Sequence, residues 1–342
     1  MRETALPDAS SATPLLDVRH LQVSFQTRQG VLGITRDVSF SVMPGERLGL
    51  VGESGCGKSV TGLSLMRLLP ADVARVQGQV LLEGTDLMRL SERQMRAVRG
   101  RDVAMIFQEP MSALDPVFTV GEQIAEAWRV HFPARAREAR ERALKVLDQV
   151  GIPLPQQRYN EYPHQLSGGM RQRVMIAMAL ICEPKLLIAD EPTTALDVTV
   201  QAQILRLLRE LSERTGTAML FITHDLGVVA EICTRMVTMY AGEVVEDAPV
   251  DEVLLRPRHP YTSGLLRSLP RFSPRREPLA FIPGRVPAPG RMPEGCRFSP
   301  RCAHAADRCQ GPQPLQDLGP SGHRVRCIRT PELQLPGVTT HD

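Results

Sequence analysis

Eight residues, Gly52-Glu53-Ser54-Gly55-Cys56-Gly57-Lys58-Ser59, match the pattern G-x-x-x-x-G-K-[ST] and constrain the fold more than any other stretch. Such a loop needs a strand feeding it and a helix leaving it, because its backbone N–H groups must turn inward around an anion. Both flanks are present. Arg47 to Val51 is a short apolar strand, and Lys58-Ser59 opens a helix that reads through Leu69. The glycines permit the bend, Lys58 brings its charge to the β- and γ-phosphates of a nucleotide, and the Ser59 hydroxyl ligates Mg²⁺.

The rest of the body alternates strand and helix. Leu16 to Phe25, Asp37 to Val42, Gln79 to Leu82 and Val103 to Phe107 read as strands. Leu186 to Ala189 and Met219 to Ile222 are unbroken apolar runs, as parallel strands buried on both faces require. Glu122 to Trp128 and Ala134 to Val150 read as helices within an all-helical insert near residues 111–184. Residues 1–15, small and polar, read as a flexible N-terminal tail. The composition shifts after Asp247: prolines are dense from Pro257 to Pro293, and a cysteine cluster follows. No internal repeat is visible, so the chain carries one nucleotide-binding unit.

Three further motifs carry chemistry. Leu166-Ser167-Gly168-Gly169-Met170 is a Gly-rich turn opening an apolar helix, a second place where backbone donors can meet a phosphate. The strand Leu186–Ala189 runs into Asp190 and Glu191. Asp190 is positioned to hold Mg²⁺ through water and Glu191 to polarise an attacking water, since phosphoryl transfer asks for positioning and charge neutralisation. Alone, such a pair reads as a solvated loop; after a phosphate loop it reads as catalytic. His224 ends the apolar run Phe221-Ile222-Thr223, where ligand-facing residues of parallel sheets sit, and is expected to contact the γ-phosphate. Gln108 follows Val103–Phe107 and by itself reads as a solvated strand end.

Composition narrows the partners. A net charge of +3 is too small to argue for nucleic acid. The longest apolar run, Val174 to Ile181, falls well short of the ~20 residues of a spanning helix. The N-terminus, with Glu3 and Asp8 and no apolar core, does not read as a signal peptide. The expectation is a cytoplasmic protein whose membrane role comes through a partner. Cys296, Cys302, Cys309 and Cys327 are spaced C-x5-C-x6-C-x17-C, without the C-x2-C pairs of zinc ribbons. Four thiolates so spaced suit an iron–sulfur cluster. Structural zinc, with His304 or His323, and unliganded thiols are the alternatives.

In this order the motifs resemble the ATP-binding cassette (ABC) family from residue 16 to about 247, with Thr194-Ala195-Leu196-Asp197 similar to the family's D-loop. The resemblance implies an α/β fold: a P-loop NTPase (RecA-like) core, an antiparallel β subdomain, an inserted α-helical subdomain, and here an irregular Cys-containing C-terminal extension over 248–342. It implies a head-to-tail dimer with two ATPs at the interface. Each ATP would meet Lys58, Ser59, Gln108, Asp190, Glu191 and His224 of one subunit and Ser167-Gly168-Gly169 of the other, with Gln108 also beside Mg²⁺ and Asp197 near the nucleotide. Phe25 would stack on adenine, though a core aromatic on a strand reads equally well. Position 170 is Met where the family at large usually has Gln, which removes a polar contact and leaves the backbone donors of Ser167 to Gly169.

Met170, the stretch Phe107 to Pro116, His259-Pro260-Tyr261-Thr262, Gly295-Cys296-Arg297-Phe298 and Pro300-Arg301-Cys302 are similar to the oligopeptide/dipeptide importer ATPases. That branch includes relatives moving nickel and glutathione, and relatives carrying a [4Fe–4S] cluster at the cysteines. The implied setting is the cytoplasmic face of the membrane, with a second ATPase subunit (a heterodimer), two permease subunits and an extracytoplasmic solute-binding protein, and no nucleic acid. A soluble ABC ATPase acting on nucleic acid or ribosomes is the other class; one cassette, no long heptads and near-neutral charge speak against it.

Overall fold

The computed structural model describes residues 13–108, 113–133, 135–194, 196–269, 281–319 and 322–338. The expected tail thus lies outside the described residues up to residue 12, while Leu15 is buried and its N–H donates to Val42 O at 2.9 Å. β1 (Leu16–Thr27) follows, burying Leu16, Val18, Leu21 and Val23. It pairs antiparallel with β2 (Gly30–Val42) across Arg28-Gln29, two residues that carry no hairpin signature. That is why β2 begins seven residues before the expected Asp37, in a stretch whose strand state is imposed by pairing with β1 and not by an apolar pattern.

β3 (Arg47–Val51) starts the second sheet and delivers the chain to α1 (Lys58–Leu65). This helix ends four residues earlier than its apolar pattern suggests. Arg67 turns left-handed (φ 50°), and its guanidinium donates to Leu90 O at 2.6 Å. β4 (Ala74–Leu82) returns along β1 and takes in residues 74–78, which lack alternation and are strand only through that partner. With β5 (Thr85–Asp86) the first sheet has the order β2-β1-β4-β5, all antiparallel. α2 (Glu92–Val98), opened by a Ser91/Gln94 capping box, leads to β6 (Val103–Ile106).

The insert contains α3 (Val120–Arg129), α4 (Ala136–Gln149), α5 (Pro155–Arg158) and α6 (Gly168–Leu180). Ile124, Trp128, Ala143, Leu147 and Val174 form its core. The Arg142 guanidinium lies 3.8 Å from the Trp128 ring centroid, which lets a charged residue cap that core.

β7 (Leu186–Asp190), α7 (Val198–Thr215), β8 (Ala218–Thr223), α8 (Leu226–Ile232), β9 (Arg235–Tyr240) and β10 (Glu243–Pro249) complete the central sheet. α9 (Val250–Leu255) and α10 (Pro260–Arg267) lead into the C-terminal extension. Its β11 (Gln316–Asp317) and β12 (Arg324–Val325) join the same sheet, giving the order β11-β12-β10-β9-β3-β8-β7-β6. β9, β3, β8, β7 and β6 run parallel, so their carboxyl ends share one edge. None of the described helices is long and apolar enough to cross a membrane.

Candidate nucleotide site

Parallel sheets bind ligands outside the carboxyl ends of their strands, beside the strand where the connections diverge. Here that strand is β3, flanked by β8 and β9, and the phosphate loop leaves its end. Gly52 is left-handed (φ 154°), and a Cβ there would lie 2.2 Å from Met239 O, so no side chain fits. Gly57 (φ 99°) caps α1, while Ser54 and Gly55 lie exposed at the crown of the loop. Lys58 is buried. Its Nζ donates to Gly52 O at 2.8 Å and Glu53 O at 3.1 Å, with Cys56 Sγ 3.8 Å away. The ammonium therefore sits among loop carbonyls, at the centre of the cradle that an anion would enter.

The next strand ends supply the acids. Ser59 Oγ donates to Asp190 Oδ1 at 3.0 Å, joining α1 to β7 across the sheet edge. Burial outweighs that hydrogen bond and raises the Asp190 carboxyl above its ordinary range. Two oxygen donors side by side are the hard ligand type Mg²⁺ takes. Glu191, one residue on, adopts a left-handed backbone (φ 46°). Three side chains meet its carboxylate. Gln108 Nε2 donates to Oε2 at 3.1 Å, Thr194 Oγ1 donates to Oε2 at 2.9 Å, and His224 Nδ1 lies 3.0 Å from Oε1. Burial pushes the Glu191 carboxyl up, but the hydrogen bonds from His224 and Thr194 win and hold it below the ordinary range. A carboxylate kept ionised and half-buried beside a phosphate cradle can orient water. Gln108 is tied here to Glu191; its described hydrogen bond does not reach Ser59 or Asp190.

The remaining candidates are scattered. Phe25 on β1 is half-buried and packs on the core of the antiparallel sheet. Ser167 caps α6, accepting from Met170 N at 3.3 Å; it and Gly168 are exposed, and Gly169 abuts Val200. Asp197 caps α7 through Val200 N at 3.0 Å; Ala195, in the same stretch, lies outside the described residues, as do Glu109 to Ser112 after Gln108.

Cys296, Cys302, Cys309 and Cys327 line one pocket with His304. Among the described residues, no group of three or more His, Cys, Asp or Glu side chains is placed to hold a metal ion. His323, named above as an alternative zinc ligand, is not in that pocket. It is buried, with Nε2 2.8 Å from Glu246 Oε1, because β12 carries it to the wholly buried acid of β10.

Sequence reasoning missed Thr194, Tyr261 and Arg301 as neighbours of these groups. Thr194 stands three residues from Glu191, a spacing that a turn brings together. Tyr261 and Arg301 touch the phosphate loop from the far C-terminal region, and no local signal links them to it.

Comparison with known proteins gives the same frame. Residues 35–194 match the family model described as ABC transporter, and residues 245–309 match the oligopeptide/dipeptide transporter C-terminal region. A Brucella melitensis protein named as a peptide import ATP-binding protein is 52% identical over 335 residues, covering 94% of this chain and 99% of the relative. A Sinorhizobium fredii protein named as a peptide ABC transporter ATP-binding protein is 54% identical over 321 residues, covering 93% and 96%. Among solved structures, the dimeric ATP-binding cassette MJ0796 bound to ADP and Pi superposes with a TM-score of 0.61 at 26% identity, covering 69% of this chain and 98% of that one. With the loop, the acids and the tail all inside these matches, the chain belongs to the ABC transporter family of ATP-hydrolysing cassettes, in the branch that carries the oligopeptide/dipeptide transporter C-terminal region.

Proposed function

We propose that this chain is the motor of a peptide importer, working at the cytoplasmic face of the membrane beside a second ATPase subunit, two permease subunits and a solute-binding protein. The observation that carries the reading is the convergence of Gln108, Thr194 and His224 on Glu191, next to the Ser59–Asp190 pair. When ATP enters, Lys58 exchanges the Gly52 and Glu53 carbonyls for the β- and γ-phosphates. Ser59 and Asp190, with the Gln108 amide nearby, hold Mg²⁺, which neutralises charge on those phosphates. Glu191 orients the attacking water and receives its proton on a carboxylate oxygen, while His224 holds that carboxylate and faces the γ-phosphate. Phe25 stacks on the base. Ser167 and Gly168, exposed at the start of α6, close the ATP site of the partner subunit together with Gly169, and Asp197 lines the same interface.

An apolar groove between core and insert, lined by Met66, Leu68, Met105, Phe107, Met175 and Met178, receives a cytoplasmic helix of a permease. It begins one residue before Gln108, so a change at Glu191 reaches it directly. In the tail, Cys296, Cys302, Cys309 and Cys327 hold a [4Fe–4S] cluster. The four share one pocket lining, and together they would supply the four thiolates such a cluster takes. The cluster ties together a tail with little core of its own.

The test is transport. Vesicles carrying the assembled permease should take up labelled di- or oligopeptide only with ATP inside the motor's compartment, and Glu191→Gln should abolish uptake while the chain still binds ATP. Uptake of nickel or glutathione in place of peptide would change the cargo and keep the motor. ATP hydrolysis undiminished in Glu191→Gln would overturn the catalytic assignment.

A further inference from the structure

The phosphate loop carries a negative charge of its own. Glu53 is its second residue, and a carboxylate there repels the triphosphate the loop is built to hold. The tail cancels it. Arg301 reaches the loop from 248 residues away and grips Glu53 with two parallel hydrogen bonds, Nη1 to Oε2 at 2.7 Å and Nη2 to Oε1 at 3.0 Å. The Arg301 side chain is 4% exposed, and two further donors are used, Nε on Pro283 O at 2.9 Å and Nη2 on Ile282 O at 3.3 Å. From the same side, Tyr261, fully buried, accepts from the Glu53 N–H at 2.8 Å. Glu53 is thus held at both backbone and side chain by residues of the C-terminal region. Arg301 in turn lies in a tight turn between two of the pocket cysteines: Ser299 N donates to Cys296 O at 3.0 Å, Arg301 N to Phe298 O at 2.9 Å and Cys302 N to Ser299 O at 3.3 Å.

We infer that Arg301 is a positioning residue for nucleotide: it neutralises and clamps Glu53, so the cysteine-bearing tail sets the affinity of the phosphate loop for ATP. Two physical effects act together. A Gly-rich loop held in its binding shape loses less freedom when the ligand arrives. A bidentate guanidinium–carboxylate pair also removes a unit charge from the field that the phosphates enter. By reciprocity, bound ATP tightens the hold of the loop on the tail. The extension is therefore part of the nucleotide site's electrostatics and not a remote appendage.

This inference rests on the loop being the ATP site, which Lys58→Ala checks separately: the parent chain should bind mant-ATP, and Lys58→Ala should not. With that established, affinity for mant-ATP is measured on the full chain. Arg301→Gln should weaken binding about five- to tenfold at low salt. Arg301→Lys, which keeps the charge, should stay within about threefold. Adding Glu53→Gln to Arg301→Gln should restore most of the loss, a rescue that a merely structural arginine would not allow. Parental affinity in Arg301→Gln, or no recovery in the double variant, overturns the proposal. If Arg301→Gln does not fold, the salt dependence of Glu53→Gln in the otherwise intact chain decides, because the lost clamp is insensitive to salt and the freed guanidinium charge is not. Mant-ATP binding that gains on the parent as salt is lowered supports the proposal, and a parental salt dependence overturns it.

Discussion

His224 Nδ1 and Glu191 Oε1 lie 3.0 Å apart, although 33 residues separate them and each ends a different strand of the parallel sheet. The pair gives the rate a pH signature. A base must be ionised, so hydrolysis is lost as pH falls through the Glu191 pKa. Burial raises that pKa, and the contacts from His224 and Thr194 more than reverse the shift. At saturating Mg²⁺, which would hold Asp190 ionised against the upward push of its burial, the parent enzyme should therefore keep its rate down to and below the ordinary carboxylate range. Removing the imidazole in His224→Ala should move the acid limb of kcat to higher pH and lower the plateau about 10²-fold or more. An unshifted limb in a pH–rate profile would remove His224 from contact with the base.

Ser167 sits at an exposed helix start, with its described hydrogen bonds confined to its own turn. In an assembled pair of ATPase subunits, Ser167→Arg should disable the partner's ATP site and leave this chain's own loop occupied. Photo-crosslinking of an azido-ATP to each subunit reads this out. Loss of label on this chain alone would contradict an action in trans.

The groove beside Gln108 exposes Phe107 (41%) and Leu68 (40%). An engineered cysteine within residues 113–130 should form a disulfide with a cytoplasmic loop of a permease, with a yield that changes when ATP is added. Crosslinks confined to residues 296–327 would move the interface to the tail.

Protein prepared without oxygen should be brown and contain about four irons and matching sulfide per chain. Any one of Cys296, Cys302, Cys309 and Cys327 changed to Ser should bleach it and open residues 281–338 to proteases. Stoichiometric zinc without iron would replace the cluster by a structural zinc site.

The legible parts of this molecule were the ones whose chemistry is local. The phosphate loop, the acids after β7 and His224 after β8 each follow an apolar run that announces a buried strand, so order along the chain translates into proximity at one sheet edge. Long-range pairing stayed hidden. β2 starts at Gly30 because β1 lies beside it, and β11 and β12 are two residues each, too short to leave a pattern. Arg301 shows the same limit: its sequence neighbours mark a cysteine turn, and only the folded chain reveals that it faces Glu53. His323 looks like a metal ligand in a Cys-rich stretch, and the buried carboxylate of Glu246 claims it instead.

The two short strands of the tail also change what losing the tail means. Glu246 and Asp247 on β10 are wholly buried, opposite Val325 and Arg324 of β12. Once β12 lets go, β10 ends in a bare rail of backbone donors and acceptors. Glu246 loses His323 and keeps the Arg258 and His259 N–H groups, while Asp247 loses Arg324 and keeps the Arg235 guanidinium. A sheet border in that state recruits strands from other molecules. Damage to the tail should therefore surface first as protein that clumps, before it surfaces as a transporter that stalls.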